Sequence, residues 1–303
     1  EICACLVGSE MCIRDRDYLW IGAGAGHVLP AARYIRRKYS KIMILKLKNI
    51  QLSFTDSRGE TFNLLNGVNL DVRRETVTAL VGGNGTGKTT LFNVISGFTD
   101  DFKGEILFDN LNLKGMAPHK ISRLGIGRLF QGRQLIDNLS LMENMKIASV
   151  NRDGENPLTA FFRQGQHRRT ERQKEEQAIE ILEQIFGKDN KYLAMLDNKA
   201  SELSYGEQRL IAIARLLMGN NKLLLLDEPT SGVNPVYIET IKGIIRKMVT
   251  ENGLTVLMIE HNMHFVRDIA DFCAYLDNGK IEKVGTTEDV LDDKDVRSSY
   301  LGL

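Results

Sequence analysis

The stretch from Val77 to Ile95 constrains the fold more than any other part of the chain. Val77-Thr78-Ala79-Leu80-Val81 is short, apolar and rich in β-branched residues, the composition of a strand buried on both faces of a parallel sheet. It runs directly into Gly82-Gly83-Asn84-Gly85-Thr86-Gly87-Lys88-Thr89-Thr90 and then into Leu91-Phe92-Asn93-Val94-Ile95, an apolar helical start. A Gly-x4-Gly-Lys-Thr loop between strand and helix is a phosphate cradle. Its glycines let backbone N–H groups wrap an anion, its lysine neutralises the β and γ oxygens, and the next hydroxyl can ligate Mg2+. A Gly-rich surface turn would not call for Lys-Thr at this offset. Gly82, Gly83, Asn84, Gly85, Thr86, Gly87, Lys88, Thr89 and Thr90 are therefore candidate ligands of ATP or GTP, and Thr89 a candidate metal ligand.

The second half of the site is expected far downstream, where Leu223-Leu224-Leu225-Leu226 ends in Asp227-Glu228-Pro229-Thr230. A buried strand delivers its last residues to the carboxyl edge of a parallel sheet, where α/β folds place their ligands. Asp227 then holds Mg2+, and Glu228, aimed past the metal, is the candidate for polarising an attacking water. Either acid alone could cap a helix, but the pair after four leucines fits that bland reading poorly.

A phosphate loop with an acidic strand could belong to a GTPase, a helicase or a kinase. Leu203-Ser204-Tyr205-Gly206-Glu207-Gln208, followed by an apolar helical stretch through Ala212-Ile213-Ala214-Arg215, narrows the choice. It resembles the signature motif of ABC ATPases, with Tyr205 and Glu207 departing from the usual Leu-Ser-Gly-Gly-Gln, while the small groups Ser204 and Gly206 stand. A helix opening on Ser and Gly is itself an anion site.

The resemblance extends over Met43 to Leu303 and assigns further residues in chain order. Gln131, in Gly127-Arg128-Leu129-Phe130-Gln131, is similar to the Q-loop glutamine that senses γ-phosphate and the metal. His261, after Thr255-Val256-Leu257-Met258-Ile259, is similar to the switch histidine. Ser231 to Pro235 resembles the D-loop. Phe54 stands near the place of the adenine-stacking aromatic, with Phe62 as a rival across an apparent insertion, Thr55 to Thr61; core packing is an equal reading for Phe54. The resemblance implies an α/β P-loop NTPase fold of the ABC type, with a mixed parallel-sheet core, an antiparallel β part and an inserted helical subdomain. Its divisions would be a core at 43–131 and 221–280, a helical subdomain at about 132–220, and a tail at about 281–303. Ala178, Ile181, Leu182 and Ile185 within the helical part recur at the spacing of a buried helix face.

The implied activity is ATP hydrolysis with Mg2+, coupled to transport. Implied partners are a second ATP-binding subunit, identical or not, on which Ser204 and Gly206 would act in trans, transmembrane permease subunits, and indirectly a solute-binding protein. The implied location is the cytoplasmic face of the plasma membrane. The helical insert, Leu-Ser-Tyr-Gly, the Asn-Pro at 234–235, Glu260-His261-Asn262-Met263 and the ending Val296 to Gly302 look most like branched-chain amino acid importers; lipopolysaccharide-export ATPases share the ending. A repair ATPase would carry a long coiled coil and a translation factor two cassettes, and neither pattern is visible.

Composition limits the alternatives. Among 303 residues, 40 Lys and Arg stand against 39 Asp and Glu, a net charge of +1, so nothing points to nucleic acid. No stretch reaches the roughly 18 consecutive apolar residues of a membrane span, so a membrane role would act through other subunits. Val7 to Arg16 resembles one frame of a sequencing-library adapter; residues 1–42 are expected to be a non-native or disordered extension, with the natural start at Met43. Cys3, Cys5 and Cys12 lie in that extension, leaving Cys273, which is expected to be a buried hydrophobe without chemistry.

Overall fold

The computed structural model describes residues 42–55, 59–132, 134–149 and 164–301. The expectations placed on Val7 to Arg16 and on residues 1–41 lie outside them. Two sheets organise the rest. Strand β1 (Met43–Thr55) pairs antiparallel with β2 (Thr61–Arg73) on one side and with β4 (Lys103–Phe108) on the other. The short β5 (Leu111–Asn112) closes this sheet in the order β2-β1-β4-β5. The second sheet contains β3 (Val77–Val81), β6 (Ile126–Leu129), β7 (Leu223–Asp227), β8 (Thr255–Ile259), β9 (Phe272–Asp277) and β10 (Lys280–Thr286). Its order is β10-β9-β3-β8-β7-β6, parallel throughout except at the β9–β10 hairpin.

Every residue of β3, β7 and β8 is buried, because this sheet is covered on both faces. Side chains alternate between the faces with the strand's period of two. Leu223 and Leu225 join one core with Leu80, Leu257 and Ile259, together with the antiparallel sheet and α1 (Lys88–Ile95). Leu224 and Leu226 join the other core, with Val81, Val256 and Met258. That second core is closed by helices. After α2 (Pro118–Arg123), the chain between β6 and β7 forms α3 (Leu141–Ile147), α4 (Gln164–Phe186), α5 (Lys191–Ala194) and α6 (Tyr205–Ala214), the last continuing as a 3-10 turn to Met218. Ala178, Ile181, Leu182 and Ile185 of α4 are buried in this core, as their spacing predicts. Helix α7 (Pro235–Thr250) adds Ile241, Ile244, Ile245 and Met248. Beyond α8 (Met263–Ile269), α9 (Thr287–Leu291) and α10 (Lys294–Leu301) contribute Val290, Leu291 and Val296. The fold is thus the α/β arrangement expected, with mixed sheets and helices inserted between β6 and β7.

Caps mark the helix starts. Ser140 and Glu143 form a reciprocal capping box on α3, and Asn234 accepts the Val236 N–H at the start of α7 with Pro235 in the first turn. Lys146 of α3 lies 2.8 Å from Glu171 and 2.9 Å from Glu175 of α4, fastening the two helices.

Cys273 is fully buried in β9, and burial pushes its thiol up to about 12. Burial thus strongly disfavours the reactive thiolate. Iodoacetamide labelling followed by peptide mapping should leave Cys273 unmodified in the native protein and modify it in denaturant. Labelling of the native protein at the rate of a free thiol would contradict this burial.

Candidate active site

The register of the parallel ladder decides what meets at the carboxyl edge. Leu129 of β6 pairs with Leu226 of β7, Asp227 with Ile259 of β8, and Leu80 of β3 with Ile259. Four loops therefore leave the sheet at one level: Gly82 to Gly87 after β3, Phe130 to Gly132 after β6, Glu228 to Asn234 after β7, and Glu260 to Asn262 after β8.

The phosphate loop closes tightly on itself. Gly82 lies against the backbone of Leu276, where a Cβ would approach the carbonyl oxygen to 2.1 Å. Gly87 caps α1 with a φ of 102°, a region that favours glycine. Asn84, Gly85 and Thr89 are exposed. The Thr86 hydroxyl donates to the Gly83 carbonyl at 3.0 Å. Lys88 is buried, and its ammonium donates to the carbonyls of Gly82 at 2.9 Å and Gly83 at 2.6 Å, folded back over the loop. Burial lowers its pKa, while the negative charges of Glu228 and Asp227 pull it up. The ammonium thus belongs electrostatically with the two acids at the end of β7.

Asp227 is 1% exposed. Its Oδ2 lies 3.5 Å from Arg128 Nη2, and its Oδ1 has no hydrogen-bond donor among the described residues. Burial raises its pKa, Arg128 opposes that rise, and Glu228 adds to it. Arg128 in turn donates to Ser96 Oγ at 2.7 Å and stacks over the Phe130 ring at 4.4 Å. The next residue, Glu228, takes a left-handed φ of 46°, which turns its side chain out of the strand. Gln131 Nε2 donates to Glu228 Oε2 at 3.0 Å, and His261 Nε2 lies 3.4 Å from Glu228 Oε1. Of the three residues named from sequence as catalytic, Gln131 and His261 thus each reach the carboxylate of the third, Glu228.

Ser204 and Gly206 are engaged elsewhere. Ser204 caps α6, and both its N–H, at 2.8 Å, and its hydroxyl, at 2.7 Å, donate to Glu207 Oε2. The other oxygen of Glu207 pairs with Lys191. A phosphate bound by the Ser204 hydroxyl has to displace Glu207. Gly206 has a packing reason as well, since a Cβ there would approach the Tyr237 ring to 2.4 Å. Phe54 and Phe62, the rival aromatics, are direct cross-strand partners in the β1–β2 hairpin and both are exposed. Neither is core, so the packing reading of Phe54 is not the one observed.

Two charged residues of the site escaped the sequence reading. Arg209 of α6 reaches the loops after β6 and β7. Glu260 is buried, accepting from Thr230 N at 2.8 Å and Thr230 Oγ1 at 2.6 Å, and from His261 N at 3.0 Å and Asn262 N at 3.3 Å. It ties the loop after β7 to the turn that carries His261. An acid directly after an apolar strand, the pattern that identified Asp227, was the available signal.

The strand ends, phosphate loop and acid pair define a nucleotide-hydrolysing cassette. Comparison with known proteins takes the identification further: residues 65–231 match the ABC transporter family. The high-affinity branched-chain amino acid transport ATP-binding protein BraF of Pseudomonas aeruginosa is 37% identical over 238 residues, covering 78% of this chain and 91% of that protein. A probable branched-chain amino acid transport ATP-binding protein LivG of Methanocaldococcus jannaschii is 35% identical over 263 residues, covering 86% and 97%. Among solved structures, a nucleotide-free ATP-binding cassette from an ABC transporter superposes with a TM-score of 0.71 at 32% identity, covering 86% of this chain and 100% of that one. The chain belongs to the ABC transporter family, and it is an ATP-binding ATPase of that family.

Replacing Glu260 by Gln leaves two of its four donors facing an NH2 group. Glu260→Gln should lose about 1–3 kcal/mol of stability in chemical denaturation, together with ATPase turnover. Wild-type stability would show that the carboxylate does not hold this turn.

Proposed function

We propose that this ATPase energises a separate membrane permease that imports branched-chain amino acids or closely related solutes, by hydrolysing ATP at Glu228. The observation that carries the catalytic part is the convergence of Gln131 and His261 on the Glu228 carboxylate, beside a lysine that feels its charge. The substrate class is supported by the relatives, branched-chain amino acid transport ATP-binding proteins that this chain matches over nearly their whole length. Among the described residues no helix is long and apolar enough to cross a membrane, in keeping with a peripheral subunit on the cytoplasmic face.

In this reading Glu228 takes a proton from water as the water oxygen attacks the γ-phosphorus, and the bond to the β–γ bridging oxygen breaks to leave ADP and phosphate. Lys88 and the N–H groups of Gly85 to Thr90 neutralise and orient the phosphates. Gln131 fixes the carboxylate's aim, and His261 holds the γ-phosphate from the far side. The donor set suits Mg2+: Asp227 Oδ1 is buried without a donor among the described residues, Thr89 is exposed at the start of α1, and Gln131 hydrogen-bonds to Glu228, the residue after Asp227. When bound, Mg2+ would neutralise phosphate charge from those residues.

Ser204 is exposed at the start of α6, its hydrogen bonds going to Glu207, with the buried Gly206 two positions behind it. That supports their service to a nucleotide on a second ATP-binding subunit, in a head-to-tail dimer. Phe54 or Phe62 would stack on adenine. The helical insert at about 132–220 would dock the permease, between core segments 43–131 and 221–280, with 281–303 as the tail; a solute-binding protein would act through the permease.

Glu228→Gln should lower phosphate release by at least about 100-fold, the scale of general-base catalysis, while ATP affinity stays within about threefold. Retained turnover would remove Glu228 as the base.

A further inference from the structure

Arg209 lies five positions after the Ser204 cap in α6 and is 3% exposed. All its N–H groups are used, and every acceptor is a backbone carbonyl. Nε donates to Pro229 at 3.1 Å; Nη1 donates to Phe130 at 3.0 Å and Gly132 at 3.2 Å; Nη2 donates to Asp227 at 2.9 Å and Glu228 at 2.7 Å. A guanidinium has five N–H groups in a rigid plane, so no donor is left over.

The acceptors are specific in their placement. Phe130 and Gly132 stand on either side of Gln131, so the loop is held on both flanks of that amide. Asp227, Glu228 and Pro229 are consecutive, and three successive carbonyls converge on one group only because the chain turns through the left-handed φ of Glu228. A non-glycine residue in that region is strained, and the surroundings must offset the cost. Arg209 supplies three charge-assisted hydrogen bonds at that turn. One planar group therefore sets the relative position of two loops whose side chains, Gln131 and Glu228, meet at 3.0 Å.

We propose that Arg209 is a positioning residue for ATP hydrolysis: it fixes the Gln131 and Glu228 loops in one frame, so that the carboxylate is aimed by the amide. The inference rests on Glu228 as the water-activating group. Because none of the Arg209 N–H groups goes to the phosphate loop, its loss should affect turnover and spare nucleotide binding. A lysine in its place keeps the charge, yet its single compact ammonium cannot span acceptors on both loops.

The test uses the full chain with Arg209→Lys, Arg209→Gln, Gln131→Ala and the double variant Arg209→Lys/Gln131→Ala. ATPase kcat, ADP Kd and Tm are measured for each. Misplacement of a catalytic group by about 1 Å can cost about 100-fold, so Arg209→Lys should lose at least about 30-fold in kcat with ADP Kd within about threefold. Acting through Gln131, the same change should cost under about threefold once Gln131 is Ala, a non-additive cycle that a general packing role would not give. The proposal is overturned by wild-type kcat in Arg209→Lys, by equal losses in both backgrounds, or by loss of ADP binding. Should the lysine variant not fold, the glutamine variant is read in the same way; failure of both to fold makes Arg209 scaffold and overturns the proposal. Glu228→Gln assayed alongside separates the two claims, since its retained turnover would sink the base assignment whatever Arg209 does.

Discussion

The site depends on one constraint: four neighbouring strands run parallel and end level. β3, β8, β7 and β6 are adjacent, and their ladders align Leu80 with Ile259, Ile259 with Asp227, and Leu226 with Leu129. A slip of one residue in β7 would exchange its leucines between the two cores and turn Asp227 away from the edge. Burial of both faces thus specifies the register that assembles the chemistry.

That edge then concentrates charge in a poorly solvated layer. Lys88, Arg209, Asp227 and Glu260 are buried, and the side chain of Arg128 is 6% exposed. Each would be costly alone. Lys88 and Arg209 are met by backbone carbonyls, Glu260 by backbone and hydroxyl donors, and Arg128 and Asp227 by each other. The exceptions are Arg128 Nε and Asp227 Oδ1, the latter the one carboxylate oxygen among these without a donor from the described residues. Such a layer resists rearrangement, because moving any loop leaves a buried charge unsatisfied.

Much of this was legible in the sequence. The strand-loop-helix at Val77 to Ile95 and the leucine strand ending in Asp227-Glu228 carry their structure in short-range patterns, and both appear as read. Gln131 and His261 needed the family resemblance, and the structure sets both against Glu228. Arg209 was not legible: it follows the signature in an apolar helix, and its five acceptors are backbone carbonyls in loops that no side-chain pattern marks. Glu207 was noted only as a departure from the usual glutamine; its hold on Ser204 requires the helix-capping geometry and Lys191, which is distant in sequence. Phe54 and Phe62 remain rivals for a physical reason, since cross-strand pairing sets them side by side.

The central claim is that the four strand ends form one hydrolytic site around γ-phosphate. Its most direct test is a crystal structure of the Glu228→Gln variant with ATP and Mg2+. The account predicts γ-phosphate within hydrogen-bond distance of Lys88, Gln131 and His261, with Asp227 beside the metal and Glu207 released from a Ser204 that faces the nucleotide of a partner subunit. ATP bound with its γ-phosphate away from Gln131 and His261, and with Asp227 remote from the metal, would contradict it.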